Sequence, residues 1–193
     1  HWIRLHYAYP SKFPREVLQV MAKHPNICNY LDMPLQHGSD AVLARMKRQI
    51  TVAETEDLIQ YARETVPNLA LRTTMLVGFP GETEGEFDEL CSFVERLRFN
   101  RLGVFEYSHE EGTSGALLKD DVKSELKERR AGRLMEIQRQ ISLEHNEALV
   151  GSHLKVLIDR KEGESYFGRT EYDSPEVDNE VILDATTDFV RLG

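Results

Sequence analysis

The chain has 193 residues, 24 of them Lys or Arg and 33 Asp or Glu, for a formal net charge of −9. That length suits one domain plus a small module and buries about 70% of the unfolded surface, so folding needs no disulfide or metal staple. The acidic balance argues against nucleic acid as the main partner and suits a basic one. No apolar run approaches the roughly 18 residues of a membrane span and no signal pattern opens the chain, which leads to the expectation of a cytoplasmic protein without a membrane partner. Cys28 and Cys91, 63 residues apart, read as buried thiols in a reducing compartment.

In chain order, the first β-rich run is Trp2–Tyr9, followed by a helical stretch, Arg15–Lys23, that Pro14 opens. A second run, Ile27–Met33, leads to a short helix through Lys47 that Asp40 can cap. Thr51-x-x-Glu54 then spells a capping box ahead of Leu58, Ile59, Ala62 and Val66 on one face. The third run, Leu69–Val77, precedes a helix that Thr83 can cap, with Phe87, Leu90, Cys91, Val94 and Leu97 at helical spacing. The fourth is Leu102–Tyr107. Four β runs interleaved with helices predict parallel strands with right-handed crossovers, too few for an eight-stranded barrel. The expected fold is therefore α/β, an open sheet or part of a partial barrel.

A long helix is predicted from Asp121 to about Val150, with Leu126, Leu134, Ile137, Ile141, Leu143 and Leu149 along it and Gly151 ending it. Residues 151–193 then change character. Runs at His153–Arg160, Tyr166–Thr170, Val181–Leu183 and Phe189–Leu192 predict a small antiparallel, barrel-like module carrying five basic and ten acidic residues. The expected division is 1–150 and 151–193. The opening His1-Trp2-Ile3, without an initiator Met and already strand-like, and the barely begun run at the end lead to the expectation of a piece of a longer protein.

Functional groups in parallel sheets gather at the carboxyl ends of strands. Here Leu76-Val77-Gly78-Phe79-Pro80-Gly81-Glu82-Thr83 stands out: its glycines allow close backbone approach to a ligand, and the next helix offers N–H groups at its start. An ordinary turn between strand and helix explains the same spelling. At the second strand end, Gln36 can hold ribose hydroxyls, while His37 and Asp40 also suit plain turn chemistry. Glu106, His109, Glu110 and Glu111 can serve acid–base chemistry or form a solvated rim. Arg45, Lys47 and Arg48 read as an exposed basic helix face, and Asp173-Ser174-Pro175-Glu176-Val177-Asp178 as a solvated acidic link.

Together these strings resemble the methylthiotransferase family of radical S-adenosylmethionine (SAM) enzymes. The matching segments are Arg4–Pro10, Leu31–Asp40 with Leu43 and Met46, Thr74–Thr83 and Phe105–Ser108, and the C-terminal module looks like a TRAM domain. Tyr107-Ser108-His109-Glu110-Glu111-Gly112-Thr113 and Gly168-Arg169-Thr170 with the acidic link resemble the branch that acts on an aspartate of a small-subunit ribosomal protein. A branch acting on tRNA adenosine, and a non-catalytic binding module for a basic protein, are the alternatives. The resemblance implies SAM and two 4Fe–4S clusters in the full-length enzyme, with a 5′-deoxyadenosyl radical attacking the β-carbon of the aspartate. The family's CxxxCxxC loop is not in this sequence, so the expectation is that this stretch ligates neither cluster and is inactive alone. By analogy Gln36 contacts the ribose, Val77, Gly78 and Phe79 line the adenine with Tyr107 beside it, and Arg72 and Thr74 meet the polar end of SAM. Glu110, Glu111, Asp173, Glu176 and Asp178 are the expected contacts for the basic target.

Overall fold

A computed structural model describes residues 1–113, 115–187 and 189–193. Four strands, β1 (Ile3–Leu5), β2 (Ile27–Asp32), β3 (Ala70–Val77) and β4 (Arg101–Glu106), form one parallel sheet in the order of the chain. Between them run α1 (Glu16–Lys23), α2 (Asp40–Arg45), α3 (Val52–Thr65) and α4 (Glu84–Leu97), and α5 (Ser124–Glu147) follows β4. Alternation decides the two faces of the sheet. Leu31, Leu71, Met75 and Val77 enter the main core with Leu18, Phe87, Leu90, Phe93, Phe99 and Leu134 from the helices. Arg72, Thr74 and Leu76 alternate with these buried positions of β3 and take the opposite, inner face.

Local signals account for the helix starts. Thr51 with Glu54 and Thr83 with Glu86 form complete capping boxes at α3 and α4. The expected cap at Asp40 is corrected. Ser39 occupies the N-cap position of α2 without a side-chain bond, and the Asp40 carboxylate instead accepts the Val52 N–H at 2.7 Å, tying α2 to the start of α3. In α5 the buried stripe is Lys127, Arg130, Leu134, Gln138 and Ile141, whereas Leu143 and Leu149 of the expected apolar set are exposed.

The second sheet is antiparallel, β5 (Val156–Glu162), β6 (Ser165–Thr170) and β7 (Val181–Asp184), with β6 in the middle. The expected run at Phe189–Leu192 is not a strand; the chain there returns to the sheet at Gly193, whose N–H donates to the Ile158 carbonyl.

The expectation of a solvated acidic link is also corrected. Asp173 and Ser174 are buried, and the Asp178 carboxylate is 2% exposed. Asp173 accepts from Arg101 at 2.5 Å and from the Thr170 hydroxyl at 2.6 Å. Asp178 accepts from the Tyr30 hydroxyl at 2.9 Å and from the Ser174 N–H at 2.8 Å, with Arg72 at 3.8 Å. Arg4 donates to the Thr170 carbonyl, and Tyr172 packs on Cys28, Tyr30 and Ala70. Two carboxylates assigned to a target surface therefore seat the β module on the inner face of the parallel sheet. Asp178 also pushes the Tyr30 phenol up, after burial, the largest cause. Removing one partner of a buried ion pair strands the other, at about 3 kcal/mol or more. Asp173→Ala is therefore expected to lower unfolding free energy by about that amount and to speed amide exchange in β5–β7 before that in β3; unchanged exchange in the module contradicts this seat.

Candidate functional site at the strand ends

Three neighbouring strands leave the parallel sheet through a left-handed residue: Tyr7 after β1 (φ 57°), Gln36 beyond β2 (φ 76°) and Gly78 after β3 (φ 73°). For Tyr7 and Gln36 this conformation costs about 1–2 kcal/mol each and persists only where neighbours enforce it. At Gln36 the enforcement is visible. Its N–H donates to the Thr74 carbonyl at 2.9 Å, and its carbonyl accepts the Leu76 N–H at 2.7 Å, extending the pairing with β3 beyond Asp32.

The turn after β3 closes on a buried anion. The Glu82 carboxylate accepts from the N–H groups of Gly78 and Phe79 at 2.8 and 3.3 Å and from Arg130 of α5 at 2.8 Å. His37 Nε2 lies 3.4 Å from it, both side chains fully buried, and His37 Nδ1 accepts the Ser39 N–H. His37 is thus a fixed part of the strand-end scaffold. The N–H groups expected to receive a ligand are occupied: Glu82 takes those of the turn, while Thr83 and Glu86 cap each other at the start of α4. Arg45, expected on an exposed basic face, grips Glu86 through both carboxylate oxygens at 2.7 and 2.9 Å. That grip holds the Glu86 carboxyl down at about 2.

Gly78 answers both readings of its motif at once. Its backbone is left-handed, and a Cβ there meets the Lys127 Cγ at 2.3 Å. Lys127 is buried, with its ammonium on the Tyr107 carbonyl at 3.1 Å and on Asp120 at 2.7 Å. The close approach that Gly78 permits in this structure is to a helix side chain.

The other expected cofactor contacts fall into two groups. Val77, Phe79 and Tyr107 are buried, the last two packed edge to face with Val42 nearby, so their side chains are committed to packing. Thr74 and Leu76 are half-buried and Phe105 is 63% exposed; Leu76 and Phe105 pair in register and offer an apolar shelf. Sequence reasoning passed over Leu76 and Phe105, although strand alternation from Arg72 and Thr74 finds them. Arg72 lies lower on that face, bonded to Asp32 at 3.1 Å. Glu110, Glu111 and Glu176 are exposed, and Glu110 accepts from Ser108. A cleft of about 520 Å³ between β4, α5 and residues 177–179 includes Arg72 and Arg101 but opens beside the first half of β4, away from the strand ends.

With this geometry in place, comparison with known proteins is direct. Residues 1–94 match the radical SAM superfamily and residues 150–192 the TRAM domain. The chain therefore carries a radical SAM domain joined to a TRAM domain. Over its length it is a close relative of the ribosomal protein uS12 methylthiotransferases RimO. The protein of Cytophaga hutchinsonii is 58% identical over 192 residues, covering 100% of this chain and 44% of that protein. That of Christiangramia forsetii is 55% identical, covering 100% and 43%, and that of Porphyromonas gingivalis 56% identical, covering 94% and 42%. The chain thus spans under half the length of these relatives. Coproporphyrinogen III oxidase HemN of Escherichia coli, a radical SAM enzyme, superposes with a TM-score of 0.61 over 86% of this chain and 44% of that one, at 16% identity, which shows the shared fold.

Gly78→Ala is expected to lose more than the roughly 1–2 kcal/mol that left-handed backbone alone costs. In a Lys127→Ala background the loss should fall to that backbone cost. Urea unfolding of the four proteins in a double-mutant cycle measures this; equal penalties in both backgrounds contradict the Lys127 contact.

Proposed function

We propose that the chain works as the strand-end and TRAM portion of a radical SAM methylthiotransferase that places a methylthio group on the β-carbon of an aspartate in ribosomal protein uS12. The observation that carries this reading is identity above 50% to uS12 methylthiotransferases along the whole chain, through both modules. A ribosomal target puts the enzyme in the cytoplasm; among the described residues, no helix is long and apolar enough to cross a membrane.

The family implies SAM and iron–sulfur clusters. The two cysteines here do not fit a cluster. Cys28 packs with Tyr30 and Ala70, Cys91 lies on α4 in the main core, and burial pushes both thiols up, Cys91 to about 11. Cluster ligation needs thiolates, so no step is assigned to a cluster through these residues.

The strand ends fit SAM better. Thr74 and Gln36 offer polar groups beside the Leu76–Phe105 shelf, where a flat base can lie, and the Gly78–Phe79 turn supplies rigid backbone held by Glu82. SAM, when bound, supplies the radical that removes hydrogen and the methyl group that is transferred. The protein's part is to orient and to exclude water. Gln36 is held for the ribose by its enforced backbone, Thr74 lies one alternation below, and Val77, Phe79 and Tyr107 pack behind them. Arg72 is matched by Asp32 and Asp178, which makes it a structural cation more than a free carboxylate binder. Glu110, Glu111 and Glu176 are the acidic contacts left for a basic target, and exposed charges of that kind act mainly on association rate.

The test is chemical. The longer enzyme containing this chain, prepared anaerobically with SAM and a reductant, is incubated separately with uS12 and with unmodified tRNA, and both are read by mass spectrometry. A methylthio group in place of one hydrogen on a uS12 aspartate is the expected result. Modified tRNA with unaltered uS12 overturns the proposal.

A further inference from the structure

The inner face of the parallel sheet carries a row of charges, most of which seat the β module: Arg4 of β1, Arg72 of β3 and Arg101 of β4, with the carboxylates Asp32, Asp173 and Asp178. Asp32 is almost fully buried; one of its oxygens takes Arg72 at 3.1 Å and the other the Tyr7 N–H at 3.3 Å. Arg72 meets Asp32 and Asp178, Arg101 meets Asp173, and Arg4 donates to the Thr170 carbonyl. His6 follows immediately after β1. Its Nδ1 sits 3.6 Å from the second Asp32 oxygen, its ring lies 5.5 Å from that of Tyr30, and its side chain is 40% exposed. Its Nε2 meets no hydrogen-bond partner among the described residues.

We infer that His6, set by Asp32 and Tyr30, is the group on the inner face that binds the side-chain carboxylate of the target aspartate. The inference rests on the function proposed above and names a specificity-determining residue for it. A carboxylate brought onto this partly dry face needs a donor to replace water. A protonated imidazole can donate from both nitrogens; Nδ1 of His6 faces Asp32, which leaves Nε2, on the far side of the ring, to meet a ligand carboxylate. Arg72 cannot serve as well, because Asp32 and Asp178 already flank it. Holding the carboxylate fixes the adjacent β-carbon, and a fixed β-carbon is what selective hydrogen removal requires.

SAM also carries a carboxylate, so the experiment separates the two sources. The longer enzyme, as wild type and as His6→Gln, is titrated without reductant with uS12 and with uS12 whose target aspartate is replaced by asparagine. SAM binding and substrate-free SAM cleavage are measured in parallel. Wild type should bind the aspartate form about tenfold more tightly than the asparagine form. His6→Gln should bind the two alike, with SAM affinity, SAM cleavage and thermal midpoint unchanged. Retained discrimination in His6→Gln overturns the inference, and so does a tenfold loss of SAM affinity in that variant, which assigns the carboxylate to SAM. Failure of the wild-type enzyme to modify uS12 is a different result: it removes the proposed function itself.

Discussion

One buried carboxylate, Glu82, holds the strand ends together. A charge with no exposed surface persists only if donors replace its water, and those donors come from separate parts of the chain, the turn after β3 and Arg130 near the start of α5, with His37 of the loop after β2 packed 3.4 Å away. Each is thereby fixed relative to the others. The turn cannot relax without uncovering the anion, α5 cannot slide without stranding Arg130, and the loop that leads from Gln36 into α2 is pinned beside both. The positive φ at Gln36 is tolerable in that frame because the frame is rigid.

The same physics seats the second module. A three-stranded antiparallel sheet of this size has little core of its own, and its inward carboxylates, Asp173 and Asp178, find their cations and donors on the parallel sheet. Tyr172 adds an apolar contact beneath them. Burying charge in this way is a poor source of stability but leaves few alternative docking positions, since any displacement exposes an unpaired Arg101 or Tyr30. The TRAM domain thus becomes part of the inner face of the radical SAM domain, and the polar row there combines groups from both.

Much of this was legible in the sequence. The parallel order, the capping boxes at Thr51 and Thr83, the antiparallel tail and the family resemblance all follow from local signals: period-two and helical spacing, cap residues and motif strings. Contacts that form at long range were not legible. Lys127, Arg130 and Gln138 look like a solvated helix face, and only the fold shows that Tyr107, Glu82 and Phe99 receive them. Asp173 and Asp178 look like a loop in water for the same reason, and Asp40 looked like a cap because its true partner, the Val52 N–H, is twelve residues on. Charge in a sequence reports hydration unless its partner is known. Face assignment failed more simply: attention to the Gly78 motif hid the alternation that puts Leu76 and Phe105 on the inner face.

Amide exchange in a Glu82→Gln variant tests the central role of that carboxylate most directly. Glutamine keeps the shape but loses the charge, and charge-assisted hydrogen bonds are about twice as strong as neutral ones. The account predicts that exchange at the Gly78 and Phe79 amides quickens at least about tenfold, the equivalent of roughly 1.4 kcal/mol. The Met33 amide, bonded to the Arg72 carbonyl within the sheet, should keep its protection. Unchanged protection at Gly78 and Phe79 would show that the turn holds without the anion and would contradict the account.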